Sequence, residues 1–350
     1  MKLLITGGAG FIGSAVVRLC LEKRLASVAV YDSMTYAASP QTLAPHSGRS
    51  DFRFFHRDIC DPSAVRAVYD EVQPDAVMHL AAESHVDRSI EMPAAFVQTN
   101  VVGTQVLLDA ALAYWRELDP ARKARFRFHH ISTDEVFGSL GEDDYFHEGT
   151  RYDPRSPYSA SKAASDHLVR AWHHTFGLPV ILTNCTNNYG PYQFPEKLIP
   201  LMILRGLAGE TMPVYGDGQN VRDWLFVDDH AEALWQALTN GRVGETYAIG
   251  GMAERRNIEV AETIVALLDE LAPARQSRKS LIQFVPDRPG HDRRYAMDCS
   301  KIRHELKWAP RRSFADGLRA TVQWYLENRL WWEPILNATY RLQRLGSSAA

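Results

Sequence analysis

Two short stretches of the sequence carry side chains that can transfer protons. Thr133, Asp134 and Glu135 place a hydroxyl and two carboxyls directly after an apolar run. Tyr158 and Lys162 are four residues apart, which puts their side chains on one face of a helix, one turn apart. A phenol with a pKa of about 10 is a poor base at neutral pH, but a neighbouring ammonium lowers that pKa. Tyr158 can then take a proton from a hydroxyl group, and the two carboxyls supply further proton transfer.

These side chains need a helix and a strand to hold them. Ser156 suits the N-cap of a helix and Pro157 its first position, so a helix is predicted over residues 158–176. The two carboxyls follow the apolar run 126–131, which is a predicted strand. Because ligands bind outside the carboxyl ends of strands in open α/β sheets, the acids are expected at a ligand cleft.

A glycine-rich loop, GGAGFIG at residues 7–13, follows the first predicted strand and precedes a helical pattern. Two registers fit, one from Gly7 and one from Gly8, and both continue through Gly10 and Gly13. The missing side chains permit a tight turn and let the backbone approach a pyrophosphate. The N-terminus of the following helix then offers N–H groups to the phosphates. Strand, loop and helix in this order predict a dinucleotide-binding site.

Asp32 ends the next predicted strand, nineteen residues after Gly13. A carboxylate there accepts hydrogen bonds from ribose hydroxyls and repels a 2′-phosphate, so NAD is preferred over NADP. With NAD as hydride acceptor, Tyr158 would remove the proton of the hydroxyl that is oxidised. These residues therefore predict an NAD-dependent oxidation.

Apolar runs alternate with amphipathic stretches in the first half of the chain. The apolar runs lie near residues 3–5, 28–31, 52–55, 76–80, 126–131 and 179–182. The helical patterns lie near residues 11–24, 62–72, 94–117 and 158–176. This alternation predicts an α/β fold, a Rossmann-type doubly wound parallel sheet with helices on both faces. Residues 32–51, rich in Ser, Ala, Pro and Gly, are expected to form a loop.

The second half is less regular and is expected to form a smaller C-terminal substrate-binding lobe. It has more Pro and Gly, with helical patterns near residues 196–208, 228–239, 257–271 and 313–329. We expect an NAD-binding domain over residues 1–185 and the smaller lobe over 186–335, with some crossing back to the first domain. Residues 336–350 are expected to form a tail.

The composition argues against several classes of protein. The chain has 350 residues, of which 45% are hydrophobic and 23% charged, and its net charge is -3. A binder of nucleic acid or of an acidic membrane would show a basic surplus, so neither partner is expected. No apolar run is long enough to span a bilayer. The four cysteines are far apart and the adjacent histidines 129–130 and 173–174 diverge, so we expect a cytoplasmic protein with reduced thiols and no metal site.

Three motifs carry a resemblance to a known family. TGGAGFIG, HLAAESHVDRS and YSASK, in this order, resemble the extended short-chain dehydrogenases that act on nucleotide sugars, and the resemblance covers roughly residues 1–335. That family implies a Rossmann domain for NAD, a lobe for the sugar nucleotide, and a homodimer formed through the helices at 94–117 and 158–176. It assigns to the cofactor site Gly7, Gly10, Phe11, Ile12, Gly13, Asp32, Ser33, Thr35, Asp58, Ile59, Leu80, Ala82, Thr99, Tyr158 and Lys162.

The two acids fit one branch of that family. Thr133, Asp134 and Glu135 resemble the triplet of its 4,6-dehydratases, which act on dTDP-glucose. By that resemblance the Thr helps to position the 4-hydroxyl, the Asp protonates the leaving 6-hydroxyl and the Glu is the base at C5. Oxidation at C4 acidifies the C5 hydrogen, and loss of water then needs one acid and one base with separated pKa values. The sequence by itself leaves open which carboxyl takes which role.

The second half carries further motifs of that branch, NNYGP, FPEKLIP, PVYG, RDW and DRPGHD. Guanidinium groups bind diphosphates, which suits Arg222 and Arg288, and an aromatic ring such as that of Tyr215 stacks on a pyrimidine. The resemblance assigns to the substrate site Ser84, Thr133, Asn187, Glu196, Lys197, Leu198, Pro213, Tyr215, Arg222, Asn257, Arg288 and His291.

Three functions stay open at this point. The leading one is dehydration of dTDP-glucose to a 4-keto-6-deoxy sugar with tightly held NAD. The second is a 4-epimerase, or a dehydratase of another nucleotide sugar, on the same fold. The third is a non-enzymatic NAD sensor or scaffold, against which Tyr158, Lys162 and both acids argue, since a binder has no need of them.

Overall fold

A computed structural model describes residues 1–287 and 290–338 of the chain. In these ranges the strands are β1 (Lys2–Thr6), β2 (Ser27–Asp32), β3 (Phe52–His56), β4 (Ala76–His79), β5 (Arg127–Thr133), β6 (Val180–Cys185), β7 (Asn187–Tyr189), β8 (Met212–Tyr215), β9 (Val221–Phe226), β10 (Thr246–Ile249), β11 (Glu254–Arg256) and β12 (Ile282–Val285).

The helices surround these strands. The α-helices are α1 (Phe11–Glu22), α2 (Pro40–Leu43), α3 (Pro62–Val72), α4 (Val86–Glu91), α5 (Pro93–Phe96), α6 (Thr104–Glu117), α7 (Pro120–Arg125), α8 (Pro157–Phe176), α9 (Leu198–Ala208), α10 (Val227–Asn240), α11 (Asn257–Leu271), α12 (Ser300–Leu306), α13 (Phe314–Glu327) and α14 (Arg329–Ala338). The other helical segments are the 3₁₀ turns Ala44–His46, Asp134–Phe137 and Arg278–Leu281 and the π-helix Val97–Gly103.

The central sheet has seven parallel strands in the order β10-β6-β5-β4-β1-β2-β3. Successive side chains of a strand point to opposite faces, and β1 shows the consequence. Leu3 and Ile5 belong to one core together with Val16 of α1, whereas Leu4 belongs to the other core together with Leu107 of α6. Helices therefore cover both faces, which confirms the predicted doubly wound α/β fold.

β10 comes from the second half of the chain but lies at one edge of the central sheet, where it pairs in parallel with β6. Helices α10 and α12 also pack against the core of this sheet, whereas α9, α11 and α13 pack around a separate core that contains Ile203, Trp224 and Leu268. The second half also includes two smaller sheets, of order β11-β9-β7 and β12-β8. The chain thus returns to the Rossmann sheet after entering the second lobe, and the domain boundaries stay a prediction.

Residues 32–51 are not the simple loop that their composition predicts, because they contain α2 and the turn Ala44–His46. Pro40 occupies the first helical position, which suits its fixed φ. A helix of four residues is not stable by itself. Trp331 of α14 holds it by donating a hydrogen bond from Nε1 to Oγ1 of Thr42 at 3.0 Å. This long-range contact has no local sequence signal.

The helical pattern at residues 94–117 is also less regular than predicted, because it consists of α5, the π-helix and α6 in succession. π-Helical segments often occur at functional sites. Thr99, one of the residues predicted to contact the cofactor, lies within this one. The π-helix therefore lies in the part of this helical stretch that is predicted to contact the cofactor.

The C-terminal helix α14 extends to Ala338, three residues into the predicted tail. Residues 339–350, which complete that tail, lie outside the described part of the chain. Within the described ranges, no helix combines the length and the apolar character that crossing a bilayer requires.

Candidate active site

Helix α8 presents the predicted tyrosine and lysine. Ser156 accepts a hydrogen bond from the backbone N–H of Ser159 at 3.0 Å, and the Ser159 hydroxyl accepts one from the backbone N–H of Ser156 at 2.9 Å. This reciprocal cap, with Pro157 in the first position, starts the helix where the sequence predicts. Tyr158 and Lys162 follow in the first turns, and both side chains are buried.

A cavity that is partly open to solvent lies at the carboxyl ends of β1, β2, β4, β5 and β6. Every residue predicted for the cofactor site lines it: Gly7, Gly10, Phe11, Ile12, Gly13, Asp32, Ser33, Thr35, Asp58, Ile59, Leu80, Ala82, Thr99, Tyr158 and Lys162. So do Ser84, Thr133, Asp134, Glu135, Asn187, Glu196 and Lys197 of the predicted catalytic and substrate sets. The strand ends thus bring both groups of residues to one cleft.

The glycine loop fits a dinucleotide phosphate. A Cβ at Gly13 would lie 2.1 Å from the carbonyl oxygen of Gly7, and a Cβ at Gly7 would lie 2.5 Å from the backbone nitrogen of Ala81. The φ of Gly7 is +73°, which other residues rarely adopt. Helix α1 begins after Gly10 without a side-chain cap, and its first residue Phe11 lines the cavity. The first turn of such a helix leaves N–H groups for a phosphate.

Asp32 joins the glycine loop to the segment after β2. Its Oδ2 accepts a hydrogen bond from the backbone N–H of Ala9 at 2.9 Å, and its Oδ1 accepts one from Met34 at 2.8 Å. Burial raises the pKa of Asp32, although these two bonds act in the opposite direction. Each carboxylate oxygen has a second acceptor position, so the structure is compatible with the predicted contacts to a ribose.

Asp134 is held at the end of β5 in a site with few polar partners. β5 ends at Thr133, whose hydroxyl donates to Oδ1 of Asp134 at 3.3 Å and accepts from the backbone N–H of Glu135 at 3.3 Å. Asp134 is only 2% exposed, and its Oδ2 has no hydrogen-bond partner among the described residues. A buried carboxyl with one oxygen left without a hydrogen bond is more stable in its protonated form.

The two acids therefore differ in their surroundings. Burial raises the pKa of Asp134 well above its usual value, the negative charge of Glu135 raises it further, and the positive charge of Arg222 opposes them. Glu135 is only partly buried. A raised pKa favours the protonated carboxyl, which is the form that can donate a proton. This asymmetry supports Asp134 as the acid and Glu135 as the base.

The pKa of Tyr158 departs from the expected direction. Burial raises it well above its usual value and the charge of Glu135 adds to the effect, whereas a hydrogen bond with Thr133 lowers it. Lys162 donates from Nζ to the carbonyl oxygen of Ile131 at 2.9 Å, and burial lowers the pKa of Lys162. Burial and the nearby carboxylate therefore outweigh the lowering expected from Lys162, and the net direction of the Tyr158 pKa is upward.

Polar atoms without partners line the substrate end of the cavity. Oε2 of Glu196 and Oδ1 of Asn187 are buried and have no hydrogen-bond partner among the described residues. Tyr36 donates to Oε1 of Glu196 at 3.0 Å, and Lys197 donates from Nζ to the carbonyl oxygen of Ser84 at 3.0 Å. Because buried polar atoms are normally hydrogen-bonded, the unpaired oxygens indicate a polar ligand.

Some predicted substrate residues lie outside this cavity: Leu198, Pro213, Tyr215, Arg222, Asn257 and His291. Tyr215 packs edge-on against His291, with ring centroids 6.3 Å apart, and donates to Oδ2 of Asp87 at 3.4 Å. Arg222 is only 5% exposed and donates to three backbone carbonyls, so its guanidinium is engaged within the protein. Arg288 lies outside the described residues. The substrate roles of all seven stay predictions.

The cavity also contains residues that are not among the predicted site residues, although two of them, Glu83 and Asn188, lie within the motifs HLAAESHVDRS and NNYGP. Glu83 lies shortly after β4, and Cys185 ends β6. Burial raises the pKa of the Cys185 thiol, so it is uncharged at neutral pH. Ligands bind outside the carboxyl ends of the strands, and this rule locates the two acids. Applied to β4 and β6, the same rule would also indicate Glu83 and Cys185. Asn188 and Gln193 reach the cavity from the segment around β7 and carry no such signal. The described residues contain no cluster of metal-ligating side chains.

Comparisons with known proteins agree with this site. Residues 4–321 match the family model described as GDP-mannose 4,6 dehydratase. A dTDP-glucose 4,6-dehydratase of Neisseria meningitidis serogroup B is 58% identical over 351 residues, which cover 99% of each chain. The crystal structure of a dTDP-glucose 4,6-dehydratase from Streptomyces venezuelae with NAD bound has a TM-score of 0.87 and 47% identity, covering 96% of this chain and 100% of that chain. A UDP-glucose 4-epimerase from Thermus thermophilus in complex with NAD has a TM-score of 0.82 and 29% identity, covering 94% of this chain and 100% of that chain.

The fold and the site together define an enzyme of the extended short-chain dehydrogenase type. The chain belongs to the GDP-mannose 4,6 dehydratase family and, within it, to the group of the dTDP-glucose 4,6-dehydratases. This confirms the resemblance that the sequence motifs indicate.

Because the pKa of Asp134 is raised in the folded chain, the free energy of unfolding should depend on pH through this residue. The substitution Asp134→Asn should remove that dependence. The buried site disfavours the carboxylate, so the stability that Asp134 contributes relative to Asn is fully present below about pH 4, the pKa of Asp in an unfolded chain. It is lost as the pH rises through the raised pKa of the folded state. Urea unfolding of both proteins from pH 4 to pH 8 measures the difference.

Asp119→Asn is the matched control for this experiment. Asp119 caps α7, and a hydrogen bond from the backbone N–H of Arg122 lowers its pKa. Its contribution therefore has the opposite sign, being present above about pH 4 and lost in acid. A stability difference between wild type and Asp134→Asn that does not change with pH would contradict the assignment of a raised pKa.

Proposed function

We propose that this chain dehydrates dTDP-glucose to dTDP-4-keto-6-deoxy-glucose, a hydro-lyase reaction that uses bound NAD. The observation that carries the proposal is the pair of unequal acids, Asp134 and Glu135, in the same cavity as Tyr158. With NAD as the hydride acceptor, oxidation at C4 needs the tyrosine as its one proton-transfer group. Loss of water needs two more, an acid and a base. Relatives that are 53–58% identical over nearly the whole chain bear this activity in their names.

The cofactor is held along the first half of the cavity. The glycine loop and the start of α1 would contact its diphosphate, and Asp32 its adenosine ribose. NAD, when bound, accepts a hydride from C4 of the sugar and returns it to C6. The carboxylate of Asp32 disfavours the 2′-phosphate of NADP.

Tyr158 and Thr133 act on the 4-hydroxyl of the sugar. The Thr133 hydroxyl, at the end of β5, helps to position that group, and the Tyr158 oxygen takes its proton as C4 becomes a ketone. Lys162, one turn along α8, is the cation that stabilises the phenolate form. The ketone then acidifies the hydrogen at C5, which prepares the second stage.

Asp134 and Glu135 carry out the loss of water. Glu135 removes the C5 proton, and Asp134 gives its proton to the 6-hydroxyl, which leaves as water while a double bond forms between C5 and C6. When C6 is reduced, Glu135 returns the proton to C5. Over one turnover Tyr158 gains one proton and Asp134 loses one. The protons therefore balance, and water is the only product besides the sugar nucleotide.

A 4-epimerase shares the first step but not the second. UDP-glucose 4-epimerases with this fold are 28–29% identical to the chain. Epimerisation releases no water and therefore requires no acid for a leaving hydroxyl. The protonated, buried Asp134 thus favours dehydration over epimerisation.

We also propose that the enzyme is a cytoplasmic homodimer. The helical layer of α4, α5, the π-helix, α6 and α8 leaves Ile90, Met92 and Val97 exposed, by 36%, 55% and 52%. Exposed apolar side chains grouped on neighbouring helices favour burial against a second copy of the chain.

The four free cysteines support the proposed cytoplasmic location, because free thiols are typical of a reducing compartment.

The activity is tested with purified protein and dTDP-glucose. We expect a product with the alkaline absorbance of a 4-keto-6-deoxy sugar, and no turnover by Tyr158→Phe. Asp134→Asn should form this product about 10²–10⁴-fold more slowly, because it has no proton for the leaving hydroxyl. Mass spectrometry of quenched Asp134→Asn reactions should detect the oxidised sugar that has kept its 6-hydroxyl.

Asp119→Asn is again the control and should turn over like the wild type. Equal rates for Asp134→Asn and wild type would show that the acid is assigned wrongly. Product from a different nucleotide sugar but none from dTDP-glucose would contradict the substrate. Bound NAD without turnover of any nucleotide sugar would contradict the whole proposal.

The homodimer is tested by analytical ultracentrifugation. The wild type should sediment as a dimer, and Val97→Glu should shift it towards monomer by placing a charge in the interface. Phe284→Glu is the control, because Phe284 is 60% exposed on β12, away from this layer. A monomeric wild type, or dissociation by both variants alike, would contradict the proposed interface.

A further inference from the structure

A buried acid lies on the catalytic helix without reaching the cavity. Asp166 follows Tyr158 and Lys162 at intervals of four residues, so the three side chains share one face of α8. It is 0% exposed and is not part of the cavity lining. The steps of the proposed reaction do not use it, yet a carboxyl is seldom fully buried unless it has partners.

Asp166 has such partners on three segments. Its Oδ2 accepts hydrogen bonds from the hydroxyls of Ser132 at 2.8 Å and Tyr152 at 2.9 Å, and the amide of Asn184 lies 3.4 Å away. Its Oδ1 is 3.0 Å from Nε2 of His130, and His130 is the donor because a carboxylate can only accept. One side chain therefore joins α8 to β5, to β6 and to the segment before the helix.

These bonds converge on the strand end that carries the acids. The two donors on β5 flank Ile131, whose carbonyl oxygen accepts a hydrogen bond from Lys162 at 2.9 Å. Thr133 is the last residue of the same strand, and Asn184 donates to its carbonyl oxygen at 3.0 Å. The helix that bears the tyrosine and the strand that bears the acids are thus fixed to each other through Lys162 and Asp166.

Asp166 also supplies a charge. Burial raises its pKa, but the hydrogen bond from His130 and the positive charge of Lys162 outweigh burial, so the pKa lies below its usual value. Burial lowers the pKa of Lys162, and Asp166 is the foremost group that opposes this effect. Asp166 is therefore ionised at neutral pH and acts as a counter-charge to Lys162.

The groups that face this pair from the packed elements are His79 of β4, His130 of β5, Cys185 of β6, Arg170 of α8 and Tyr152. Burial lowers the pKa of His130 to about 4 and also lowers that of His79, while it raises the pKa of Cys185. These three are uncharged at neutral pH. Arg170 contacts the Tyr152 hydroxyl at 3.0 Å.

We infer that Asp166 is a positioning residue for the oxidation at C4. It fixes the face of α8 that bears Tyr158 and Lys162 against the strand end that bears Thr133, and it is the buried counter-charge of Lys162. It acts through Lys162 and does not touch the sugar. Its kinetic consequences rest on the proposed function, whereas its coupling to Lys162 is a property of the folded chain.

Asp166→Asn tests the inference by kinetics, since it removes the charge and keeps the shape. The kcat for dTDP-glucose should fall about 10–100-fold from misalignment, with KM unchanged because Asp166 does not line the cavity. The high-pH limb of the kcat profile, where Lys162 loses its proton, should move to lower pH, because removing an anion lowers the pKa of a nearby ammonium.

Asp229→Asn is the matched control. Asp229 is also buried, at 8% exposed, and accepts hydrogen bonds from the backbone N–H groups of Arg311 and Arg312. It should leave the high-pH limb in place whatever it does to stability. An Asp166→Asn profile that coincides with the wild-type profile, or a change confined to KM, would overturn the inference.

A thermal-unfolding cycle tests the coupling without reference to the reaction. Lys162→Met leaves Asp166 as a buried anion without its counter-charge, which strongly destabilises the fold. Adding Asp166→Asn to Lys162→Met should therefore raise Tm, although each substitution alone lowers it. A double variant that melts below Lys162→Met would overturn the inference. This outcome is informative even if Asp166→Asn does not fold alone or dTDP-glucose is not the substrate.

Discussion

The burial of Asp134 beside Glu135 constrains the rest of the active site. Two adjacent carboxylates repel each other, and Asp134 is nearly sealed from water. Burial and the charge of Glu135 raise the pKa of Asp134, which favours the proton on the buried acid rather than on the partly exposed one. Loss of water requires the same division, because the leaving hydroxyl needs an acid and the C5 hydrogen needs a base. Glu135 also raises the pKa of Tyr158, the residue proposed to take the proton of the 4-hydroxyl.

The sheet and the helices on its faces hold these charged groups in place. Parallel strands end at one edge of the sheet, which brings the glycine loop, Asp32 and the acids to one cleft. Helix α8 then carries Tyr158, Lys162 and Asp166 on successive turns of one face. Buried polar networks of this kind are stabilising only when their members are hydrogen-bonded, and both oxygens of Asp166 meet that condition.

The sequence predicts the parts of this arrangement that depend on local physics. Alternating apolar runs indicate the parallel sheet, and Ser156 with Pro157 marks the start of α8 within one residue. Other features depend on contacts between distant segments. The short helix α2 is tied to Trp331 of α14 by a hydrogen bond that spans almost the whole chain. The direction of the Tyr158 pKa depends on burial, which the spacing of two residues does not reveal. Asp166 gains its role from partners on three segments.

Infrared difference spectroscopy at neutral pH distinguishes a protonated from an ionised Asp134 in the resting enzyme. The spectrum of the wild type minus that of Asp134→Asn should contain the C=O stretching band of a protonated carboxylic acid. The corresponding spectrum with Glu135→Gln should contain the bands of an ionised carboxylate instead. A carboxylate band in the first spectrum and a protonated-acid band in the second would contradict the account.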